Sequence, residues 1–394
     1  MPSPHLVGAN IDTFIGNARV SGNFPEELAA QLEERKQQSQ DAEEDIPTPW
    51  RFAGEVLFIK PHGAGRQWRW ILHSPSVHID VGLGRLTHIV AKARLSSAFL
   101  WEHDIGTTLT LLYGFLAEFL QCPFVLQVSE VHLCIDIADW ELSLNDISAF
   151  ITRSRSKGLR LGSDAADEEL DVSLEATGPF IAPSDVRVQF AGRRLATLDF
   201  SKGAPHACCI YDKTAEITLS RKDWMQEVWH SNGWDGEARV TRVEFRYKRE
   251  CLREMKIEEA YAFLDLVPSL WAYSTKQWLR HTVPNGDPNR ARWPVSALWQ
   301  LVQKASFFCD GTPAVRERRR AGDLTLLCQM IAGCSTSAAA FLTQLLPSGD
   351  DGTHFLIWFW DWLEKYLEEK GVNFEQLRME KAARLGLQPA QTAA

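Results

Sequence analysis

Residues 128–140 read VSEVHLCIDIADW. Beyond Pro123, β-branched and apolar residues return at alternate positions, the pattern of a strand. Alternate residues of a strand share a face, so Asp136 stands opposite its neighbours Ile135 and Ile137. Two later stretches have the same character, ACCIYDK at 207–213 and RVTRVEFRYKR at 239–249. In the second of these, Glu244 stands opposite Val243 and Phe245. If the apolar neighbours pack under helices, both carboxylates emerge on the other face of a sheet.

Outward from these stretches, the chain alternates strand and helix signals. ANIDTFIGNARV at 9–20 reads as a strand, and the polar run EELAAQLEERKQQSQDAEED at 26–45 as a solvated helix that decays into a linker before IPTPW. GEVLFIKP, QWRWILH, SVHIDVG and HIVAKARLS then follow at the short intervals of an antiparallel sheet. GTTLTLLYGFLAEFLQC at 106–122 has Leu109, Leu112, Leu116, Phe119 and Leu120 at helical spacing. After an N-cap at Ser143, LNDISAFITRSR at 144–155 reads as a further helix. DVRVQFAG, LATLDFS and the two later stretches restore the strand signal, with the KDWMQEVWHSNGWDGE segment before the last. From about residue 255 onward helical stretches dominate, among them EEAYAFLDLVPSLWAYSTKQWL, VSALWQLVQKASFF, DLTLLCQMIAGCSTSAAAFLTQLL and FLIWFWDWLEKYLEEKG. Strands and helices recur in the same order twice, which predicts an α+β fold of duplicated antiparallel β-sheet layers with packed helices, followed by a mainly helical C-terminal region. The expected divisions are 1–49 (strand and charged linker), 50–255 (core) and 256–394 (helical region).

With 394 residues, 45% hydrophobic and 24% charged, the chain has the composition of a globular protein of two or three packed units. No run approaches the roughly 20 apolar residues that span a bilayer, and the N-terminus lacks a basic region followed by an apolar one, so no membrane association and a cytoplasmic location are expected. The eight cysteines show no CxxC pairing or adjacent histidine pair, which argues for reduced, buried thiols over a zinc site. A net charge of −9 argues against coating nucleic acid through bulk charge. A local basic surface is still compatible with it.

The candidate chemistry lies in LCIDIAD, IYDKTAE and RVTRVEFRYKR. Adjacent central strands would bring Asp136 and Glu244 within reach of one hard cation, Mg²⁺ or Mn²⁺, whose natural ligands are carboxylate oxygens. Tyr211 has an ordinary pKa of about 10 and needs help to act as a nucleophile. A metal, and Lys213 two residues along the strand on the same face, would supply positive charge. The alternatives are a packing tyrosine at a strand end, a hydrogen-bonded Asp136, and a Glu244 paired with Arg242 or Arg246.

In this order VHLCIDIADW, IYDKTAE and RVEFRYKR resemble the replication initiation factors of rolling-circle plasmids and filamentous phages, the non-HUH (Rep_trans) branch. The resemblance takes in AKARLSSAFLW and ARWPVSALWQLVQKASF and covers roughly residues 50 to 310. It implies a metal-dependent, site-specific DNA nickase and strand transferase. The tyrosine attacks a phosphodiester at the origin, leaving a 5′-phosphotyrosyl link and a free 3′-hydroxyl. Carried over, the nucleophile is Tyr211, the lysine is Lys213, and the metal carboxylates are Asp136 and Glu244 with Glu216 a third. Cys209 stands two residues before the tyrosine, where relatives often carry a basic residue. The resemblance also implies origin DNA as partner, with a host helicase and a homodimer as further candidates. A protein with the same fold that binds an origin without cutting is the alternative.

A nickase must hold a polyanion. Between Lys276 and Arg320 nine Lys or Arg face three acids, including Arg318, Arg319 and Arg320, and RSRSKGLR adds Arg153, Arg155, Lys157 and Arg160. These segments, with Arg242 and Arg246 beside Glu244, are the expected DNA contacts.

Overall fold

The structure, a computed structural model, describes residues 3–85, 87–153, 159–163, 186–307, 331, 353–369 and 373. The chain divides into two compact units, Met1–Glu317 and Arg318–Ala394.

The first unit opens with a long strand, β1 (His5–Val20), then helix α1 (Glu26–Ala42). Five strands follow: β2 (Ile46–Phe52), β3 (Glu55–Ile59), β4 (Trp70–His73), β5 (Val77–Val81) and β6 (Ile89–Leu95). Helices α2 (Ser97–Glu102) and α3 (Ile105–Leu120) lead to a second long strand, β7 (Phe124–Ala138). Next come α4 (Leu144–Ala149), β8 (Phe150–Thr152), β9 (Leu159–Ser163), β10 (Val186–Ala191), β11 (Arg194–Phe200) and β12 (His206–Asp212). Helices α5 (Lys213–Ser220) and α6 (Trp224–Ser231) precede β13 (Val240–Lys248). The unit continues with α7 (Arg249–Glu254), α8 (Ala260–Tyr273), β14 (Leu279–His281) and α9 (Ala297–Gln303).

Among the described residues, twelve strands form one sheet in the order β2-β3-β4-β5-β6-β1-β7-β13-β12-β11-β10-β9. Every pairing is antiparallel except β9 with β10. The expected duplication is visible in this order. In each half a long central strand is followed by strands that start at an outer edge and work back until the last, β6 or β13, pairs with that long strand. The two long strands run antiparallel from His5↔Ala138 to Val20↔Phe124, so the two halves meet edge to edge in one sheet.

Alternation along the central strands selects the faces. Phe14, Leu133, Ile135, Val243 and Phe245 are buried in one core with Leu116 and Phe119 of α3 and Phe263 and Leu270 of α8. The opposite face carries Asp136 and Glu244, and a smaller cluster of Ile217, Met225 and Trp229 from α5 and α6 packs at its end against Val7, Ala138 and Val240.

Two local expectations change. The run at 26–45 is helical to Ala42, leaving only three residues of connection, and IPTPW opens β2, which accommodates Pro47 and Pro49 because it is the sheet's edge strand, where a missing N–H need not meet a neighbour. The helix expected over 144–155 stops at Ala149. Its N-terminus is a capping box of Ser143 and Asp146, but from Phe150 the chain is extended as β8 and pairs with β14, burying Phe150 against Trp299. β1 is a central strand, and α8 and α9 belong to the first unit along with the sheet.

In the second unit, α10 (Thr353–Glu369) matches the FLIWFWDWLEKYLEEKG reading, with Trp360, Trp362 and Tyr366 exposed. The stretch at 323–346 lies outside the described residues apart from Ile331. Among the described residues no helix is long and apolar enough to cross a membrane.

Candidate active site

β7, β13 and β12 lie side by side with Asp136 opposite Arg242 and Arg242 opposite Tyr211. Cross-strand partners share a face, so the three side chains form a row across the sheet. Two residues along β13, Glu244 lies opposite both Cys134 and Cys209. The corresponding row in the first half is Asn17, Lys92 and Asp80, so the tyrosine belongs to the second half alone.

Arg242 is fully buried. Its Nε donates to Asp136 Oδ1 at 2.6 Å and its Nη2 to Asp136 Oδ2 at 2.8 Å, while Nη1 donates to Asp12 Oδ1 at 2.7 Å. Trp229 Nε1 donates to Asp136 Oδ2 at 2.9 Å, and the guanidinium lies 5.4 Å from the Trp101 ring centroid. Asp12 reaches this point because the β1–β7 register shifts between Ile11 and Thr13. Such a bulge re-aims a side chain that the regular pleat would direct elsewhere. Burial pushes the Asp12 carboxyl up, but the charges of Arg242, Lys213 and Lys222 and the hydrogen bond from Ser97 together outweigh it and hold the group well below the usual carboxylate range.

Glu244 is the hub of a second set. Its Oε2 accepts from the Tyr211 hydroxyl at 3.1 Å, and its Oε1 accepts from Arg246 Nε at 2.7 Å and lies 3.2 Å from His132 Nδ1. His132 Nε2 lies 2.8 Å from Glu130. Burial opposes ionisation of Glu244, yet the hydrogen bond from His132 and the charge of Arg246 bring its pKa down to about 2. Desolvation and the Glu244 charge push the Tyr211 phenol well above its ordinary value. Burial also lowers the tendency of His132 to protonate, but Glu130 and Glu244 outweigh it and raise the pKa.

Lys213 departs from the expected strand position. β12 ends at Asp212, whose side chain accepts from the Ala215 N–H at 3.0 Å and caps α5, so Lys213 is the first residue of the helix. It is buried, paired with Glu216, and its Nζ lies 5.7 Å from the Tyr211 ring centroid.

The carboxylates present do not fit a divalent cation as a set. Both oxygens of Asp136 are taken by Arg242 and Trp229, both of Glu244 by Tyr211, Arg246 and His132, and Glu216 faces Lys213. Among the described residues no three His, Cys, Asp or Glu side chains group so as to hold a metal ion.

The expected DNA contacts divide. Arg242 cannot touch a phosphate where it stands, because the fold seals it between two carboxylates. Arg246 is partly exposed and bound to Glu244, and Arg153 is exposed. For Arg160 only the backbone in β9 is described, and Arg155, Lys157, Arg318, Arg319 and Arg320 lie outside the described residues.

The sequence reading missed Asp12 and Trp229 and gave His132 no role. One signal for Asp12 was available: an acid inside the apolar run ANIDTFIG needs a partner if that strand is central.

No protein-family model matches the chain, and no curated protein matches it. Among solved structures it is similar to a rolling circle replication initiator protein from Geobacillus stearothermophilus, with 10% identity and a TM-score of 0.39, over 76% of this chain and 97% of that one. Fold and site together define an α+β protein with a large, mainly antiparallel sheet, a sealed arginine–carboxylate pair at its centre and a tyrosine hydrogen-bonded to a carboxylate beside it.

Proposed function

We propose that the protein initiates rolling-circle DNA replication by nicking one strand at an origin through Tyr211. The observation that carries this reading is the hydrogen bond from the Tyr211 hydroxyl to Glu244, at 3.1 Å, within motifs whose order resembles that of the replication initiation factors. Tyr211 Oη attacks phosphorus, the P–O3′ bond breaks, and the phenolic proton passes to Glu244. The 3′-oxygen leaves and takes up a proton, so the 5′-phosphate is linked to tyrosine and a 3′-hydroxyl is free.

The acidities constrain the timing. Burial and the Glu244 charge hold the Tyr211 phenol above its ordinary range, while His132 and Arg246 hold the Glu244 carboxyl below its own, so complete proton transfer before attack is strongly uphill. Transfer therefore accompanies O–P bond formation, as the growing bond acidifies the phenol. Arg246, bound to Glu244 and partly exposed, is placed to meet the phosphate charge.

The test is incubation with supercoiled or single-stranded origin DNA, with added Mg²⁺ or Mn²⁺ and with chelator. A denaturation-resistant adduct that vanishes in Tyr211→Phe is expected; an adduct that persists in that variant overturns the assignment. A second reading, origin binding without cutting, is favoured by the closed ion pairing of Asp136 and Glu244, and predicts DNA binding with no adduct under any of these conditions.

A further inference from the structure

Far from Tyr211, two hairpin connections and Lys36 of α1 line an open cavity of about 590 Å³. Residues 60–69 join β3 to β4, and 82–88 join β5 to β6. The walls are pressed together at backbone level: a Cβ on Gly63 would lie 2.3 Å from the Trp68 carbonyl, and one on Gly82 2.3 Å from that of Gln67. Arg69 N–H donates to the Val81 carbonyl at 2.8 Å, tying one loop to the other. Side chains at these two glycines would force the two connections apart, so their close approach depends on glycine at both positions.

The lining carries Lys36, Arg66, Arg69 and Arg85 with no acidic residue. Lys36 is held in place by donating to the Arg69 carbonyl at 3.2 Å, and Arg69 is positioned by Glu33 of α1 at 2.9 Å. Arg66 and Arg85 are exposed, and Trp68, Gln67, Leu83 and Thr87 also line the cavity. On a chain of net charge −9, a concavity lined by four cations, of which Arg69 is answered by Glu33, marks a site for an anion. Guanidinium groups match phosphate oxygens in geometry, an indole face stacks on a base, and a carboxamide can read a base edge. A volume of this size holds one nucleotide.

We infer that this cavity binds a nucleotide, its phosphate on Arg66, Arg85 and Lys36 and its base against Trp68. The nucleotide is either free or one unit of a single strand. The site is separate from the Tyr211 row. β4 and β12 are six places apart in the sheet, on the order of 30 Å at strand spacing, and the cavity lies at the opposite strand ends from Asp212. It shares no residue with that row, and the inference does not rest on Tyr211 being a nucleophile.

The full chain is titrated with ATP by calorimetry and with a labelled oligothymidylate by fluorescence anisotropy, over a range of salt. Arg66→Ala with Arg85→Glu, both at exposed positions, is expected to weaken at least one probe tenfold or more. For the strand it should lower the salt-dependence slope by up to about 0.7, the value for one phosphate contact. Trp68→Ala should weaken the same probe about tenfold and Trp68→Phe restore most of it. Loss for both probes assigns a free-nucleotide site, and loss for the oligonucleotide alone assigns a strand contact. Wild-type affinity for both probes in the arginine variant, with an unchanged melting temperature, overturns the inference. Adduct formation by Tyr211, measured on the same variants, succeeds or fails separately.

Discussion

Arg242 and Asp136 face each other across β13 and β7 through two parallel hydrogen bonds of 2.6 and 2.8 Å, both residues without solvent exposure. Asp12 shares the guanidinium, so one buried cation answers a buried and a partly exposed carboxylate, with Trp229 donating to the buried one. This pairing occupies the strand position where the sequence suggested an open metal ligand. The charge that Asp136 would offer a cation is already neutralised by the strand beside it.

Removing the cation leaves the buried Asp136 without its partner and the partly exposed Asp12 beside it. Arg242→Ala is expected to cost about 3–5 kcal/mol, the usual result of breaking a buried ion pair from one side. Arg242→Lys should recover only part of it, because an ammonium cannot make the paired bonds to Asp136. Urea denaturation of the three proteins checks this, and a loss below about 1 kcal/mol in the alanine variant contradicts it.

Tyr211→Phe separates catalysis from packing. The ring stays and only the hydroxyl bonded to Glu244 is lost, so stability should change by about 1–2 kcal/mol. Adduct formation with origin DNA should disappear. Equal loss of folding and activity would instead make Tyr211 a structural residue.

His132 gives the stability a pH signature. Its folded pKa lies above the ordinary 6.5, so its contribution is complete below that value and is lost as pH rises through the raised pKa. Glu244 acts in the other direction: with a folded pKa of about 2, its contribution is present above the ordinary carboxylate value of 4.5 and lost as pH falls below it. Stability should therefore peak between about 4.5 and 6.5. His132→Gln should flatten the alkaline decline and, because His132 helps hold the Glu244 pKa down, also shrink the acid limb. Melting curves across this range decide the matter.

The strands were legible where one face is core. Ile135, Ile137, Val243 and Phe245 fixed the alternation, and with it the face of Asp136 and Glu244. The order of strands repeated twice, and the sheet repeats its topology. What alternation cannot give is the partner across the sheet, because that depends on register between segments far apart in sequence. Arg242 meets Asp136 across 106 positions and Asp12 across 230, the latter only through a bulge in β1. Arg246, one of the two partners the spacing allowed for Glu244, is the one that pairs with it, since Arg242 is drawn to Asp136. Lys213 was misplaced for a local reason: an aspartate able to cap a helix ended the strand one residue before it.

Lys213 is the sharpest remaining case, because a buried ammonium depends on its partner. Lys213 is 1% exposed while Glu216 is 33% exposed. Glu216→Ala therefore strands a buried cation and should cost about 3 kcal/mol or more, whereas Lys213→Met frees a carboxylate that water reaches and should cost less. The two changes also separate roles. If Lys213 supplies charge to the reaction at Tyr211, Lys213→Met should abolish adduct formation in a folded protein, and adding Glu216→Ala to it should restore stability but not activity. Nicking at wild-type rate by Lys213→Met would reduce the lysine to a helix-end ion pair.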